Sequence, residues 1–355
     1  MDIKTALARI AARENLADWE MRDVMTTIMA GEATPSQIGA FLMGMRLKGE
    51  TVEEIAAAVA ILREKMVPVE APDDAMDIVG TGGDGAGTLN ISTAAAFVVA
   101  ATGQTVAKHG NRALSSKSGS AEVLRELGIN IDIAPDEVSR TIREAGIGFM
   151  FAPSHHPALR HVGPSRMELG MRTMFNLLGP QSNPAGCKRY LLGVYAREWV
   201  EPVAQALLAN GCVSAWVVHG SDGLDEMTTA GTTYVTQVRD GEISSFEVRP
   251  EDVGLKRVQT KDLKGGSPEF NAKAMKRLFD GEMSPYRDVV LLNAAGALVA
   301  AGRAANLHVG LEIARRQIDF GLARAKLRDL VDASNGLYPD APPQETATSP
   351  DMQDQ

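Results

Sequence analysis

Disulfide chemistry is the first thing this sequence lacks. It has two cysteines, Cys187 and Cys212, too few for a disulfide framework and not clustered for zinc. They read as small buried apolar residues in a reducing compartment. Aromatic residues make up only 5% of the chain. The longest apolar stretches, such as Ala94 to Ala101, fall well short of the ~20 residues a membrane helix needs. Met1 leads into Asp2, Ile3 and Lys4, so no signal peptide is expected, and the expected location is the cytoplasm. Basic charge is also in deficit. With 36 Lys and Arg against 45 Asp and Glu the net charge is -9, which argues against a nucleic-acid coat protein or a polybasic membrane binder.

What is present suits a globular chain of two domains: 355 residues, 45% of them hydrophobic. Residues 3 to about 66 carry helical patterns only. Thr34-Pro35-Ser36-Gln37 and Thr51-Val52-Glu53-Glu54 read as capping boxes, with Gly49 as a helix stop between them. Pro68 to Asp74 reads as a linker and a hinge candidate, as does Gly179-Pro180. Beyond the linker, short apolar runs alternate with helical ones. Strands are expected at Met76–Val79, Thr105–Ala107, Ile129–Ile133, Phe149–Phe151, Tyr190–Tyr195 and Ala215–Val218. Helices are expected at Thr93–Ala101, Pro135–Ala145 and Glu198–Asn210, and again from about Ala272 to Val331. Asp240-Gly241 marks a hairpin between Tyr234–Arg239 and Glu242–Val248. The fold class is therefore α/β: a small helical N-terminal domain and a larger domain with a mostly parallel central sheet flanked by helices. The tail 338–355 is expected to be disordered.

The placement of acids says more than their total. Gly85 to Ala121 contains no Asp or Glu but carries Lys108, Arg112 and Lys117. Ala145 to Arg197 contains Glu168 alone among acids, against six arginines and lysines and three histidines. Two basic islands in an acidic chain suggest an anion pocket; ordinary surface charge is the alternative.

Three polar loops at expected strand ends fit that pocket. Gly80-Thr81-Gly82-Gly83-Asp84-Gly85 satisfies GxGxxG literally. It does not open directly into a helix, no acid follows about 20 residues on, and no Walker lysine follows either. This excludes a dinucleotide fingerprint and leaves a backbone cradle for phosphate or sugar. Asn90-Ile91-Ser92-Thr93 offers a polar helix start, with Ser92 or Thr93 as cap. Lys108 reads as a point charge for phosphate, with a structural salt-bridging lysine as the alternative, and Ser115-Ser116-Lys117-Ser118-Gly119-Ser120 adds donors or is only a flexible loop. Asp225 and Glu226, in the turn after Ala215–Val218, are hard oxygen ligands suited to magnesium shared with substrate phosphates. An exposed acidic turn is the alternative.

The stretches DIVGTGGDGAGTLNIST, VAKHGNRALSSKSGSAEVLRELGI, FMFAPSHHPALRHVGPSRMELGMRTMFNLLGPQSNPAG and VVHGSDGLDEMT occur in order and together resemble the anthranilate phosphoribosyltransferase family of the tryptophan pathway, over about Lys4 to Leu337. Single pieces recur in pyrimidine nucleoside phosphorylases, which remain the runner-up with non-catalytic nucleic-acid-binding relatives. Leu114 and Gln181-Ser182 depart from the usual pattern and remove no ligand. The resemblance implies a helical domain of residues 1–72, completed by helices from about 165–185. It implies an α/β phosphoribosyl-binding domain of residues 73–337 and a homodimer formed through the helical domain. The implied reaction moves ribose 5-phosphate from phosphoribosyl pyrophosphate (PRPP) to the amine of anthranilate, with Mg2+. Implied for PRPP are Gly80, Thr81, Gly82, Gly83, Asp84, Thr88, Asn90, Thr93, Lys108 and Ser120. Implied for the metal are Ser92, Asp225 and Glu226, and for anthranilate Gly80, His109, Asn111, Arg166 and Gly179. No strict acid–base residue is implied; Lys108 would stabilise the leaving group, with help from His109.

Overall fold

A computed structural model describes residues 1–112 and 118–337. The loop residues Leu114, Ser115, Ser116 and Lys117 and the tail 338–355 lie outside them.

Four helices open the chain: α1 (Ile3–Ala11), α2 (Asp18–Met29), α3 (Pro35–Lys48) and α4 (Val52–Lys65). Both capping boxes form. Thr34 Oγ1 accepts from Gln37 N–H at 3.3 Å and Thr51 Oγ1 from Glu54 N–H at 3.2 Å. Gly49 ends α3 at φ +86°, as its position suggested. The linker does not hang free: Val67 N–H donates to His155 O, Val69 N–H to Pro184 O and Glu70 N–H to Ser139 Oγ.

The rest of the chain builds one sheet from β1 (Met76–Gly80), β2 (Val106–Gly110), β3 (Ile147–Phe151), β4 (Arg189–Gly193), β5 (Ser214–Gly220), β6 (Thr233–Arg239) and β7 (Glu242–Val248). The order is β3-β2-β1-β4-β5-β6-β7. The first five are parallel and the β6–β7 hairpin is antiparallel. Its helices are α5 (Ile91–Ala100), α6 (Ser120–Glu126), α7 (Pro135–Ala145), α8 (Ala152–His155), α9 (Gly163–Leu169), α10 (Phe175–Gln181), α11 (Val200–Ala209), α12 (Pro268–Phe279), α13 (Pro285–Ala300), α14 (Leu307–Asp319) and α15 (Leu322–Ser334). α9 packs on α3, and α10 and α11 pack on α4.

The hydrophobic interior is divided by the sheet, not at the linker. One cluster joins Ile78, Leu191 and Trp216 to α5, α13 and the C-terminal helices. The other joins Val79, Ala107, Leu192 and Val217, on the opposite face, to α10, α11 and all four N-terminal helices.

Three expectations are corrected. Ile129–Ile133 is no strand: Ile129 and Ile131 are buried, but Ile129 N–H returns to Leu124 O and Asn130 N–H goes to Ser334 Oγ. The alternation there is satisfied against α15 with no neighbouring strand. Strand β2 runs three residues beyond Ala107, so Lys108 and His109 lie within it. Helix α5 starts at Ile91 with Asn90 as N-cap, so Ser92 and Thr93 stand in its first turn and do not cap it.

Candidate active site

The strand order reverses at β1, between β2 and β4, and the ends of parallel strands at such a point form a crevice. The glycine loop leaves β1 there. Gly82, Gly83, Gly85 and Gly87 all have φ between +58° and +74°, a region that disfavours other residues. Gly80 and Gly193 face each other across the β1–β4 pair, and the turn bearing Asp225 lies over both. A Cβ on Gly80 would sit 2.4 Å from Asp225 Oδ2.

Adjacent residues of β2 serve opposite faces of the sheet, as strand alternation requires. Lys108 points beneath α5, buried, donating to Ile78 O at 2.5 Å and reaching Ser92 Oγ at 3.4 Å. Its neighbours in charge are Asp77, Glu226 and Asp225, which oppose the downward pull of burial on its pKa. Gly82 N–H donates to Asp225 Oδ2 at 2.6 Å, and Ser92 N–H to Glu226 Oε1 at 3.1 Å. Burial, then the charge of Asp84, pushes the Asp225 carboxyl up to about 7. Burial, then Asp225, pushes Glu226 up to about 8.

These groups fit a magnesium ion by their chemistry. Two desolvated carboxylates raise each other's cost of ionisation, which a divalent cation would relieve, and the Ser92 hydroxyl is a third hard oxygen donor. Among the described residues no group of three or more His, Cys, Asp or Glu forms a metal cage. Magnesium needs none, since it commonly takes one or two protein carboxylates and completes its shell with phosphate and water.

His109 points to the other face, toward the helical bundle. Its ring lies 5.1 Å from that of His156 and beside the Gly179 backbone, and its Nε2 is buried without a partner. Burial and the neighbouring histidines hold its pKa well below the usual imidazole range, so it is neutral. Arg166 on α9 stacks 5.6 Å over the Phe175 ring, and burial alone perturbs its pKa, with no acid among the described residues acting on it. A guanidinium so placed offers its fork to a carboxylate from outside.

Of the other expected residues, Asn90 turns its Oδ1 to Asn271 Nδ2 and its carbonyl to Tyr286 OH. Thr93 is buried in the first turn of α5. Thr88 bridges to Lys264. Ser120 Oγ donates to Asn111 O at 3.2 Å, and Asn111 Oδ1 accepts from Arg112 N–H. Thr81 N–H is taken by Gly193 O. The donors thus gather around Lys108 and the acidic turn, while Asn111 and Ser120 form a separate group beyond Gly110. His155 is buried, with its Nδ1 in hydrogen-bond contact with Val67 O at 3.2 Å.

Two groups were not foreseen. Asp77 is fully buried in β1, accepting from His109 N–H and from Asn183 Nδ2. Arg172 donates to Gly83 O and stacks on Tyr195. A lone acid inside the apolar run Met76–Val79 was the available signal for the first.

The chain matches the glycosyl transferase family, a/b domain, over residues 72–324, and that family's helical bundle domain over residues 4–66. It is 56% identical over 334 residues to the anthranilate phosphoribosyltransferase of Rhodopseudomonas palustris (strain TIE-1), covering 94% of this chain and 99% of the relative. The crystal structure of anthranilate phosphoribosyltransferase from Thermus thermophilus superposes with a TM-score of 0.89 at 44% identity, covering 93% of this chain and 99% of that one. The Saccharomyces cerevisiae enzyme in complex with PRPP and Mg superposes at 0.87 with 26% identity, covering 94% and 98%. By sequence and by fold, the chain belongs to the anthranilate phosphoribosyltransferase family.

Proposed function

We propose that this protein transfers the 5-phosphoribosyl group of PRPP to the amine of anthranilate, giving N-(5-phosphoribosyl)anthranilate and pyrophosphate, in tryptophan biosynthesis. The observation that carries this reading is the split at β2. Lys108 faces a cradle of glycine amides and paired carboxylates, while His109 faces Gly179 on the other side. One strand end thus meets a polyanionic donor on one face and an aromatic acceptor on the other.

In the reaction the C1–pyrophosphate bond breaks and a C1–nitrogen bond forms. Positive charge develops at C1, as in other glycosyl transfers, and negative charge on the departing pyrophosphate. Lys108 supports that charge electrostatically. Ser92, Asp225 and Glu226 would hold Mg2+, which when bound neutralises pyrophosphate oxygens. The loop Gly80–Asp84, with Thr88, Asn90, Thr93 and Ser120, receives the donor. Anthranilate's aromatic amine is unprotonated near neutral pH, so attack needs no strong base, and the proton its nitrogen sheds once bonded to C1 passes to the departing pyrophosphate or to water. Neutral, buried His109 serves as a wall and a hydrogen-bonding group. Arg166 holds the substrate carboxylate, and Gly80, Asn111 and Gly179 complete the acceptor path. Positioning of the two substrates then supplies much of the rate.

We further assign a homodimer through the helical part. Met43 and Leu47 on α3 and Met167 on α9 are exposed, Leu47 at 66% and Met167 at 74%, and the two helices pack together. No helix among the described residues is long and apolar enough to cross a membrane; the cytoplasm is the proposed location, without a nucleic-acid partner. The test is loss of anthranilate fluorescence on mixing with protein, PRPP and Mg2+. Signal loss only with all components supports the assignment. Phosphorolysis of thymidine or uridine in its place would move the chain to the nucleoside phosphorylases.

A further inference from the structure

We propose that Arg172 is a positioning residue that sets the donor loop from the segment carrying the acceptor groups, an inference that rests on the transferase reading above. Arg172 lies in the short connection between α9, which bears Arg166, and α10, which bears Gly179. Its guanidinium lies 4.6 Å over the Tyr195 ring, just past the end of β4. From that platform Nη2 donates to the Gly83 carbonyl. Among the described residues its partners are therefore an aromatic face and a peptide oxygen, not a carboxylate, so its direction is set by stacking.

The consequence follows from the peptide plane. The Gly83 carbonyl and the Asp84 N–H belong to one planar trans peptide and point in opposite directions. Holding the carbonyl on Arg172 turns the Asp84 N–H to the far side of the loop. Asp84 is fixed in turn, because its Oδ1 accepts from Ala86 N–H at 3.0 Å and its charge acts on Asp225. Gly83 has φ +72° and its backbone is free to rotate, so without an outside anchor this peptide would flip easily. A second side chain of the same segment supports the anchor. Asn176 caps Thr173 N–H through Oδ1 at 3.1 Å, which leaves its Nδ2 3.9 Å from where a Gly83 Cβ would stand. The acceptor segment thus grips the donor loop at one peptide.

The test is calorimetric titration of PRPP with Mg2+ into the full chain without anthranilate, for the native protein and for Arg172→Met, Arg172→Lys and Arg172→Ala. Methionine keeps an apolar stem over Tyr195 but has no donor; lysine keeps a charged donor. Arg172→Met is expected to bind PRPP about 10-fold more weakly or worse, the worth of a charge-assisted hydrogen bond. Arg172→Lys is expected to recover at least half of that loss on a logarithmic scale. In turnover assays the loss should fall on the KM for PRPP more than on that for anthranilate. Native affinity in Arg172→Met, or equal losses in the Met and Lys variants, overturns the proposal. Should Arg172→Ala fail to fold, the Met and Lys pair still decides it. A native chain that binds PRPP but transfers nothing to anthranilate would refute the transferase reading and leave this test of the loop intact.

Discussion

Gly193 lies against the Asp225 peptide so closely that a Cβ built on it would be 1.6 Å from the Asp225 carbonyl oxygen. The turn carrying both proposed magnesium carboxylates therefore rests on bare backbone. A Cβ on its other support, Gly80, would meet the Asp225 side chain first, 2.4 Å from Oδ2, with the Asp225 carbonyl oxygen farther off at 3.1 Å. The two glycines should fail differently. Gly193→Ala must displace main chain, so we expect a loss of about 1–3 kcal/mol in stability together with at least 10-fold lower Mg2+-dependent turnover. Gly80→Ala chiefly pushes a side-chain end, so turnover should fall with a much smaller change in melting temperature. Native melting and turnover in Gly193→Ala would show the turn to be elsewhere.

Among the described residues Arg166 meets an aromatic face and no acid, which makes it available to the acceptor's carboxylate. Arg166→Ala should cost roughly 2–4 kcal/mol in transfer to anthranilate, about 30- to 1,000-fold in kcat/KM. Arg166→Lys should recover little, because a point charge replaces a planar fork. Steady-state rates at saturating PRPP decide it; an unchanged anthranilate dependence would remove Arg166 from the acceptor site.

Asp225 and Glu226 receive backbone N–H groups from two different segments, the glycine loop and the start of α5. The double variant Asp225→Asn with Glu226→Gln keeps acceptors for both while removing the anionic ligands. With PRPP present, Mg2+ should raise the melting midpoint of the native chain by mass action and leave the double variant unmoved, with turnover at background. An equal rise in both proteins would place the metal on other groups.

Much of the fold could be read from periodicity, because each strand from β1 to β5 carries a short apolar stretch between turn signals. The candidate site was legible where it is local: the glycine loop and the acidic turn each follow a strand, and Lys108 stands near the end of one. What escaped was long-range. Asp77 looked like part of an apolar strand, and its partner Asn183 lies 106 residues away. Arg172 read only as one charge of a basic island, since its partner Gly83 lies 89 residues back. The opposed roles of Lys108 and His109 follow from strand parity, but the expected end of the strand at Ala107 hid it. Ile129–Ile133 misled for the converse reason: alternation reports one buried side, which a packed extended segment satisfies as well as a strand does.

His156 gives the site a pH signature in stability. It is buried at 5% exposure, its Nε2 has no partner, and burial first, then His155, lowers its pKa to about 4. In the unfolded chain it should titrate near 6.5. Between these values the unfolded state binds the proton and the folded state does not. The stability is thus fully present above pH 6.5 and is lost as pH falls toward 4. From pH 7 to pH 5 the loss from this one group is about 2 kcal/mol. His109, also held neutral by burial, adds to it with the same sign. Asp77, raised to about 6, Asp225, raised to about 7, and Glu226, raised to about 8, all mainly by burial, act in the opposite sense, since their folded forms take up a proton first. The native slope is therefore a sum, and only a difference isolates His156. Urea unfolding of the native chain and of His156→Gln at pH 7, 6 and 5 supplies that difference. The variant's stability should fall less steeply, by about 2 kcal/mol over that range; parallel curves would mean that His156 is protonated in the folded protein as readily as in the unfolded one.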